Sequence, residues 1–249
     1  MKVLISYCND KYKPSQHYLE ESAYKVGGVD KVISYDDAWL KTQEFYLKNK
    51  FILDQPRGAG YWIWKPFIIL NTFEELSQDD VLLYVDAGLE IIENLDPLYD
   101  LLSDKNPKVF FNNDFHVNKK WTKKDTFVLM NCDEAKYRDG YQLHGGYHVW
   151  RNTEENKNFL KEYQRFLRDP RIVTDCQNMC GFNYPEFEDH RHDQSVLSLL
   201  SIKYELEIFR DPSQFGNKHV DKFPNSSYPQ MFNHHRGFLN TLKFKELYS

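Results

Sequence analysis

The run VLLYVDA at residues 81–87 is the sequence feature that most restricts the fold. Five hydrophobic residues follow one another without polar alternation, which is typical of a strand buried on both faces of a sheet. Asp86 comes at the end of this run, and parallel sheets bind their ligands at the C-terminal ends of strands. Because a buried carboxylate without a partner is costly, we expect Asp86 to hold a cation or to have a structural role, as a helix cap or in a salt bridge.

Other segments with strand or helix character alternate along the chain. Strands are expected at 3–7, 29–35 and 108–114, besides 81–87. Helices are expected at 15–26, 39–50, from Pro66 onward, 154–168 and 193–203. This alternation indicates an α/β protein with a mostly parallel central sheet flanked by helices. No repeat, low-complexity tract or linker interrupts the chain, so we expect one domain.

Charge and cysteine content exclude several classes of protein. The formal net charge is −5 and there is no long basic block, which disfavours tight binding to nucleic acid. The four cysteines (Cys8, Cys132, Cys176 and Cys180) are too few for a disulfide scaffold in 249 residues. The apolar N-terminal stretch is too short for a signal peptide, and no apolar run reaches about 18 residues. We therefore expect a soluble, cytoplasmic protein without a transmembrane segment, and peripheral contact with a membrane-borne acceptor stays open.

Four motifs in this order resemble a bacterial and viral group of glycosyltransferases with the GT-A fold, and more distantly the glycogenin-like sugar transferases. They are RGAGYWIWKPFIIL (57–70), LLYVDAGLEI (82–91), HGGYHVWRN (144–152) and HRHDQSVLSLL (190–200). The resemblance implies one Rossmann-like GT-A domain over residues 1–249, with nucleotide binding in about 1–110 and acceptor binding in about 111–249. It implies an enzyme of polysaccharide biosynthesis that moves a sugar from a nucleotide-diphosphate donor to a glycan or glycoconjugate acceptor. The glycogenin-like analogy leans towards retention of configuration.

The resemblance also implies a divalent cation, Mn²⁺ or Mg²⁺, on the diphosphate of the donor. The Asp-x-Asp of these enzymes corresponds here to Asp86-Ala87-Gly88, so the second acid is missing. Asp86 with His234 or His235 would then hold the metal, and phosphate oxygens and water would complete its coordination. Surface histidines and metal-independent catalysis are the open alternatives.

The resemblance also implies which residues bind the donor. Tyr7 and Asn9 follow the first strand, where these folds hold the nucleotide base, and Lys65 and Arg236 are expected to bind phosphate. Asp86, Ala87 and Gly88 complete the diphosphate site, and Gly145 and Gly146 leave room for the sugar. Ordinary surface or core roles are the alternatives for Tyr7, Lys65 and Arg236.

Asp193 and Gln194 are the expected catalytic residues, because this motif faces the sugar in the related enzymes. Asp193 also suits the N-cap of the helix at 193–203, and the two roles are compatible. His192 is a further polar candidate.

Two other functions stay open. The missing second aspartate allows a non-catalytic protein that binds nucleotide-sugars or glycans. A metal-dependent hydrolase or nucleotidyltransferase would need several acids around one metal, and the sequence does not group them.

Overall fold

The computed structural model describes residues 1–78 and 80–235. Nine strands are present in these residues. They are β1 (Lys2–Cys8), β2 (Lys31–Asp36), β3 (Val81–Val85), β4 (Leu89–Ile91), β5 (Lys108–Val117), β6 (Tyr141–Leu143), β7 (Tyr147–Arg151), β8 (Ile208–Phe209) and β9 (Phe232–His234).

Four helices of ten or more residues lie between these strands. They are α1 (Lys13–Ser22), α2 (Trp64–Phe73), α3 (Glu154–Leu167) and α4 (Asp193–Lys203). Shorter helical segments are Asp37–Lys41, Glu44–Lys48, Lys50–Leu53, Asp96–Tyr99, Asn118–Trp121, Lys124–Leu129, Ala135–Arg138, Pro170–Val173 and the 3₁₀ turns Asp10–Tyr12 and Gly216–Lys222. A π-helical turn at Ala23–Gly27 ends α1.

The main sheet of the described residues has seven strands in the order β2-β1-β3-β7-β5-β6, with β8 beside β5. Strands β1, β2 and β3 are parallel neighbours, whereas β7 is antiparallel to both β3 and β5. Strand β6 is antiparallel to β5, and β8 is parallel to it. Five of the seven strands therefore point the same way, which confirms the expected α/β fold with a mostly parallel sheet. The expected division near residue 110 stays a prediction.

Strand β3 is buried on both faces, as the apolar run indicated. Leu82 and Tyr84 belong to one hydrophobic cluster, and Leu83 and Val85 belong to the other. Successive side chains of a strand point to opposite faces, so these two clusters are the cores above and below the sheet. Asp86 is the first residue beyond this strand and emerges at the sheet edge.

The insertion of β7 next to β3 places a second segment beside Asp86. Val85 pairs with Tyr147, so the residues that precede β7 lie against the residues that follow β3. The backbone N–H of Asp86 donates to Gly146 O at 2.7 Å. Sequence periodicity did not reveal this antiparallel strand.

The helix expected at 39–50 is wrong, because three short segments replace it. Asn49 lies between two of them with φ −121°, and its side-chain amide donates to Phe45 O at 2.7 Å. An asparagine that binds the preceding turn in this way competes with the helical hydrogen bonds. The helix expected at 193–203, in contrast, has those bounds.

Candidate active site

Two clefts meet at Asp86. The smaller cleft, of about 280 Å³, is lined by the end of β1, by the turn before α2 and by Asp86, Ala87 and Gly88. The larger cleft, of about 700 Å³, is lined by Gly145, Gly146 and the start of α4. Asp86 and Trp62 line both clefts. A ligand bound across the two would therefore pass the carboxylate of Asp86.

The junction of the clefts holds an ammonium group between two carboxylates. Lys65 Nζ lies 2.8 Å from Asp193 Oδ2 and 3.5 Å from Asp86 Oδ1. It also donates to Gly145 O at 2.7 Å. The side chains of Lys65, Asp193 and Asp86 are 3%, 5% and 12% exposed, so the three charges interact with little screening by water.

Burial changes the protonation of Asp193. Loss of solvation raises the pKa of its carboxyl from 3.8 to about 6, and the nearby Asp86 adds to the rise. The ammonium of Lys65 opposes this shift. The carboxyl group of Asp193 therefore titrates close to neutrality, as acids in enzyme active sites often do.

A left-handed turn positions Lys65 at the start of α2. All five residues from Gly58 to Trp62 have positive φ, between 49° and 91°. At Gly60 a Cβ would lie 2.5 Å from the Cα of Leu53, so only glycine fits there. Gly58 and Gly60 thus make the turn possible. A run of strained residues of this kind is common at functional sites.

Gly145 and Gly146 lie directly beside Asp86. A Cβ on Gly146 would stand 3.3 Å from Asp86 Oδ2 and 2.8 Å from Cε1 of His144. A Cβ on Gly145 would stand 3.3 Å from Cβ of Gln194. The pair thus keeps open the space between β7, Asp86 and the start of α4.

Asp193 is the first residue of α4 and does not cap it. His192 has the N-cap position, with φ 51° and ψ −116°, and provides no side-chain cap. The carboxylate of Asp193 turns to Lys65 instead. Gln194 faces the larger cleft, and its side-chain amide donates to Gln142 Oε1 at 3.0 Å. The capping alternative for Asp193 is therefore wrong, because an ion pair with Lys65 takes its place.

His192 is a buried polar group that faces the larger cleft. Its Nδ1 lies 2.7 Å from Val173 O, so that nitrogen carries the proton, and its ring stacks near Trp62. Its Nε2 is buried and makes no hydrogen bond within residues 1–78 and 80–235. Burial lowers the pKa of His192 to about 4, so the ring is neutral near pH 7. Nε2 is a hydrogen-bond acceptor under these conditions.

The smaller cleft contains Tyr7 and Asn9. The ring of Tyr7 stacks on Trp64 with 4.0 Å between centroids, and its hydroxyl donates to Asp37. Asn9 Oδ1 is buried without a hydrogen-bond partner among the described residues. An amide oxygen in this position is suited to accept a hydrogen bond from a ligand in the cleft.

His234 and His235 reach the same site through the second sheet. Strand β9 pairs with β4 so that His234 faces Leu89, and the N–H of His235 donates to Gly88 O at 3.2 Å. Both histidines line the larger cleft together with Asp86. Sequence analysis did not predict this pairing, because β4 and β9 are each only three residues long.

These side chains provide few donors for a divalent cation. No group of three or more His, Cys, Asp and Glu side chains suited to a metal occurs in residues 1–78 and 80–235. One carboxylate and one imidazole are nevertheless ligands that Mn²⁺ accepts. They would supply two of about six coordination positions, and a bound diphosphate and water would have to supply the rest.

Two other predictions concern the chain outside this site. Arg236 lies outside the described residues. All four cysteines are free in the described part of the chain, and none of its helices is long and apolar enough to cross a membrane.

Some site residues had no signal in the sequence. Gln142 lies on β6 and binds Asn118 and Thr122 as well as Gln194. Arg57 pairs with Asp175 and Asp189 on a loop distant in sequence. A single sequence gives no periodicity or motif that would reveal such contacts between loops.

Comparison with solved structures shows that the chain has the GT-A fold found in glycosyltransferases. The structure of mouse xyloside xylosyltransferase 1 matches 94% of this chain and 97% of its own at a TM-score of 0.53 and 10% identity. The structure of the galactosyltransferase LgtC with donor and acceptor sugar analogues matches 95% of this chain. The match covers 87% of the LgtC chain, at a TM-score of 0.52 and 13% identity.

The bifunctional glycosyltransferase WbbM matches 95% of this chain at a TM-score of 0.54 and 14% identity, and this chain covers 46% of WbbM. No model of a known protein family and no curated protein matches the sequence. At these identities the likeness concerns the fold alone.

Proposed function

We propose that this protein is an enzyme that transfers a sugar from a nucleotide-diphosphate donor to a glycan or glycoconjugate acceptor. The observation that carries the proposal is the buried Asp86–Lys65–Asp193 group at the meeting point of two clefts. The GT-A fold supports it, because this edge of the sheet is where open α/β folds bind ligands.

The smaller cleft suits the nucleotide, and the larger cleft suits the sugar and the acceptor. The orphan oxygen of Asn9 would accept a hydrogen bond from the base, beside Tyr7. Ala87 and Gly88 would place backbone against the diphosphate. Arg236 follows His235 directly in the sequence and is proposed as a further partner of the phosphates.

A divalent cation is part of the proposal. Asp86, with His234 or His235, would hold Mn²⁺ or Mg²⁺. When bound, such an ion neutralises charge on a diphosphate leaving group. We propose a cytoplasmic location, because the four thiols are free and because nucleotide-sugars are supplied in the cytoplasm.

The residues of the chain have separate tasks in this scheme. Lys65 fixes the carboxylates of Asp86 and Asp193 relative to each other and to Gly145. As the bond between the anomeric carbon and the diphosphate oxygen breaks, positive charge grows on the sugar. Ionised Asp193 stabilises this charge from a site of low dielectric. Gln194 orients sugar or acceptor hydroxyl groups.

We propose that transfer occurs with retention of configuration. An inverting enzyme needs a base beside the acceptor hydroxyl. Pairing with Lys65 suits Asp193 to charge stabilisation rather than to proton removal, and the departing diphosphate can accept the proton of the acceptor. Proton NMR of the newly formed glycoside, made from an α-linked donor, shows the configuration of the product. Retention yields the α-glycoside, and inversion yields the β-glycoside.

A donor screen tests the activity itself. UDP-, GDP- and TDP-sugars are incubated with Mn²⁺ or EDTA, and nucleotide release is measured. We expect turnover of one donor class and a loss of about 100-fold or more in Asp86→Ala, whereas Asp104→Ala, on the surface, keeps wild-type rates. Binding of a nucleotide-sugar without turnover, across varied acceptors, would assign a binding protein instead.

A further inference from the structure

A cavity of about 600 Å³ lies beside the larger cleft and has no task in the reaction proposed above. Its walls come from residues 175–190 and from Lys123, and we call it the loop cavity. His190 lines both the loop cavity and the larger cleft. His190 is 2% exposed and forms a wall between the two spaces, so the loop cavity adjoins the larger cleft.

The loop that forms this cavity is fixed by a buried carboxylate. Asp125 is fully buried and accepts hydrogen bonds from the N–H of Met179 at 2.9 and 2.8 Å and of Cys180 at 2.8 Å. Asn183 Oδ1 accepts from the N–H of Lys124 at 2.8 Å. Charge-assisted bonds to backbone N–H groups are strong, so the shape of the loop exists before any ligand binds.

This fixed loop presents Phe182 to solvent. Phe182 is 98% exposed, and Met179 on the same wall is also exposed. A phenyl ring held in water gives up the stabilisation that burial would provide. Unlike a single exposed ring, Phe182 and Met179 together form an apolar patch on the wall of a cavity, and such a patch is a surface that a ligand can cover.

We propose that the loop cavity binds the part of an oligosaccharide acceptor that lies beyond the reacting sugar, with Phe182 as the stacking surface. The inference rests on the proposed function and specifies its acceptor, which is a chain of several sugars rather than a monosaccharide. The apolar C–H face of a sugar ring packs on Phe182, while hydroxyl groups meet the polar wall.

The composition of the wall favours a glycan over a membrane. Gln177 and Asn178 line the loop cavity together with Phe182, and so do the acids Asp175 and Asp189. Amide and carboxylate groups suit sugar hydroxyls. Both acids pair with Arg57, so the described residues of this wall offer no cluster of unpaired basic groups to anionic lipid headgroups, and the net charge of the chain is −5.

Acceptor kinetics provide the first test. The probes are mono-, di-, tetra- and hexasaccharides of glucose, galactose and N-acetylglucosamine, with the donor that the screen identifies. Phe182→Ala is expected to raise KM for the tetra- and hexasaccharide about 10-fold, with kcat and the monosaccharide KM unchanged. Phe51→Ala is the control, since Phe51 is 74% exposed and lines none of the three cavities described here. An equal rise in KM for every length, or no rise, overturns the inference.

The second test does not depend on turnover. The chain has four methionines, so NMR of the protein with ¹³C-labelled methionine methyl groups gives few signals. The signal that is missing in Met179→Leu belongs to the methionine of the loop cavity. The hexasaccharides are expected to shift the Met179 signal in the wild type and not in Phe182→Ala, and the monosaccharides are expected to leave it in place. If a donor is turned over but no probe moves this signal, the inference fails and the proposed function stands.

Vesicles of phosphatidylcholine and phosphatidylglycerol test the competing partner. We expect no sedimentation of the protein with these vesicles. Sedimentation that Phe182→Ala abolishes would assign the exposed ring to a membrane and would overturn the glycan inference.

Discussion

At the scale of single residues, one ammonium group balances two buried carboxylates. Lys65 Nζ lies 2.8 Å from Asp193 Oδ2 and 3.5 Å from Asp86 Oδ1, at the point where both clefts meet. Removing one member of such a group leaves an uncompensated buried charge, which is more costly than the loss of a surface ion pair. Stability and activity are thus linked through Lys65.

Lys65→Met is expected to lower the free energy of unfolding by about 3–5 kcal/mol. The substitution leaves the carboxylates of Asp86 and Asp193 without their cation. Adding Asp193→Asn should recover part of the loss, so the double variant is more stable than the sum of the single changes predicts. Urea unfolding followed by circular dichroism measures the four proteins of this cycle. Lys2→Met, which breaks an exposed pair with Asp96, is the control and should cost less than about 1 kcal/mol. Strict additivity would contradict the account.

The raised pKa of Asp193 predicts opposite pH trends for activity and stability. Its carboxyl titrates at about 6 in the fold against an ordinary value of 3.8. The folded state therefore binds this proton more tightly than the unfolded chain does. The resulting stabilisation is complete below the ordinary value and is lost as pH rises through about 6.

The proposed role needs the ionised form, so kcat/KM should rise as pH rises through about 6. Measurements from about pH 4.5 to about pH 8 cover the transition. In Asp193→Asn, stability should no longer fall through titration of this carboxyl as pH rises through about 6. An activity profile that is flat across this interval would show that ionisation of Asp193 is not required.

Sequence reasoning found the charged residues separately but not their association. Asp86 follows an apolar strand and Lys65 precedes Pro66 at a helix start, and both positions are recognisable locally. Their contacts with Asp193 and Gly145 depend on the order of strands in the sheet. A single sequence does not encode that order in any local pattern.

At the scale of elements, the left-handed turn before α2 decides where Lys65 lies. Gly60 has φ +91°, and a Cβ there would lie 2.5 Å from the Cα of Leu53. Gly181 also has a positive φ, +116°, but has open space around it. An alanine would therefore meet both backbone strain and steric overlap at Gly60, but backbone strain alone at Gly181.

Gly60→Ala is expected to destabilise the protein by about 2–4 kcal/mol and to lower activity, since the turn has to shift and carries Lys65 with it. Gly181→Ala has only the strain of its φ and should cost about 1 kcal/mol. Urea unfolding of both variants gives the comparison. Equal losses in the two variants would mean that the contact with Leu53 does not restrict the turn.

The elements that sequence reasoning missed are those without a periodic pattern. Strand β7 pairs antiparallel with β3 inside a sheet expected to be mostly parallel, and it brings Gly146 to Asp86. Strand β9 is three residues long and brings His234 and His235 to Gly88. Such short strands form because a neighbouring strand is available, and only the tertiary structure shows that neighbour.

At the scale of the whole molecule, three cavities lie next to one another. The smaller cleft and the larger cleft share Asp86 and Trp62, and the larger cleft and the loop cavity share His190. This sequence of spaces fits a nucleotide, a transferred sugar and an extended acceptor. The loop at 175–190 forms the walls of the third space together with Lys123.

A crystal structure with a non-hydrolysable donor analogue and Mn²⁺ tests the central claim most directly. We predict that the diphosphate lies at Asp86 and that the anomeric carbon stands roughly 3–3.5 Å from the carboxylate of Asp193. Lys65 should still contact Asp193 in that complex. A donor bound away from this junction, with the Asp86–Lys65–Asp193 group closed and untouched by ligand, would contradict the account.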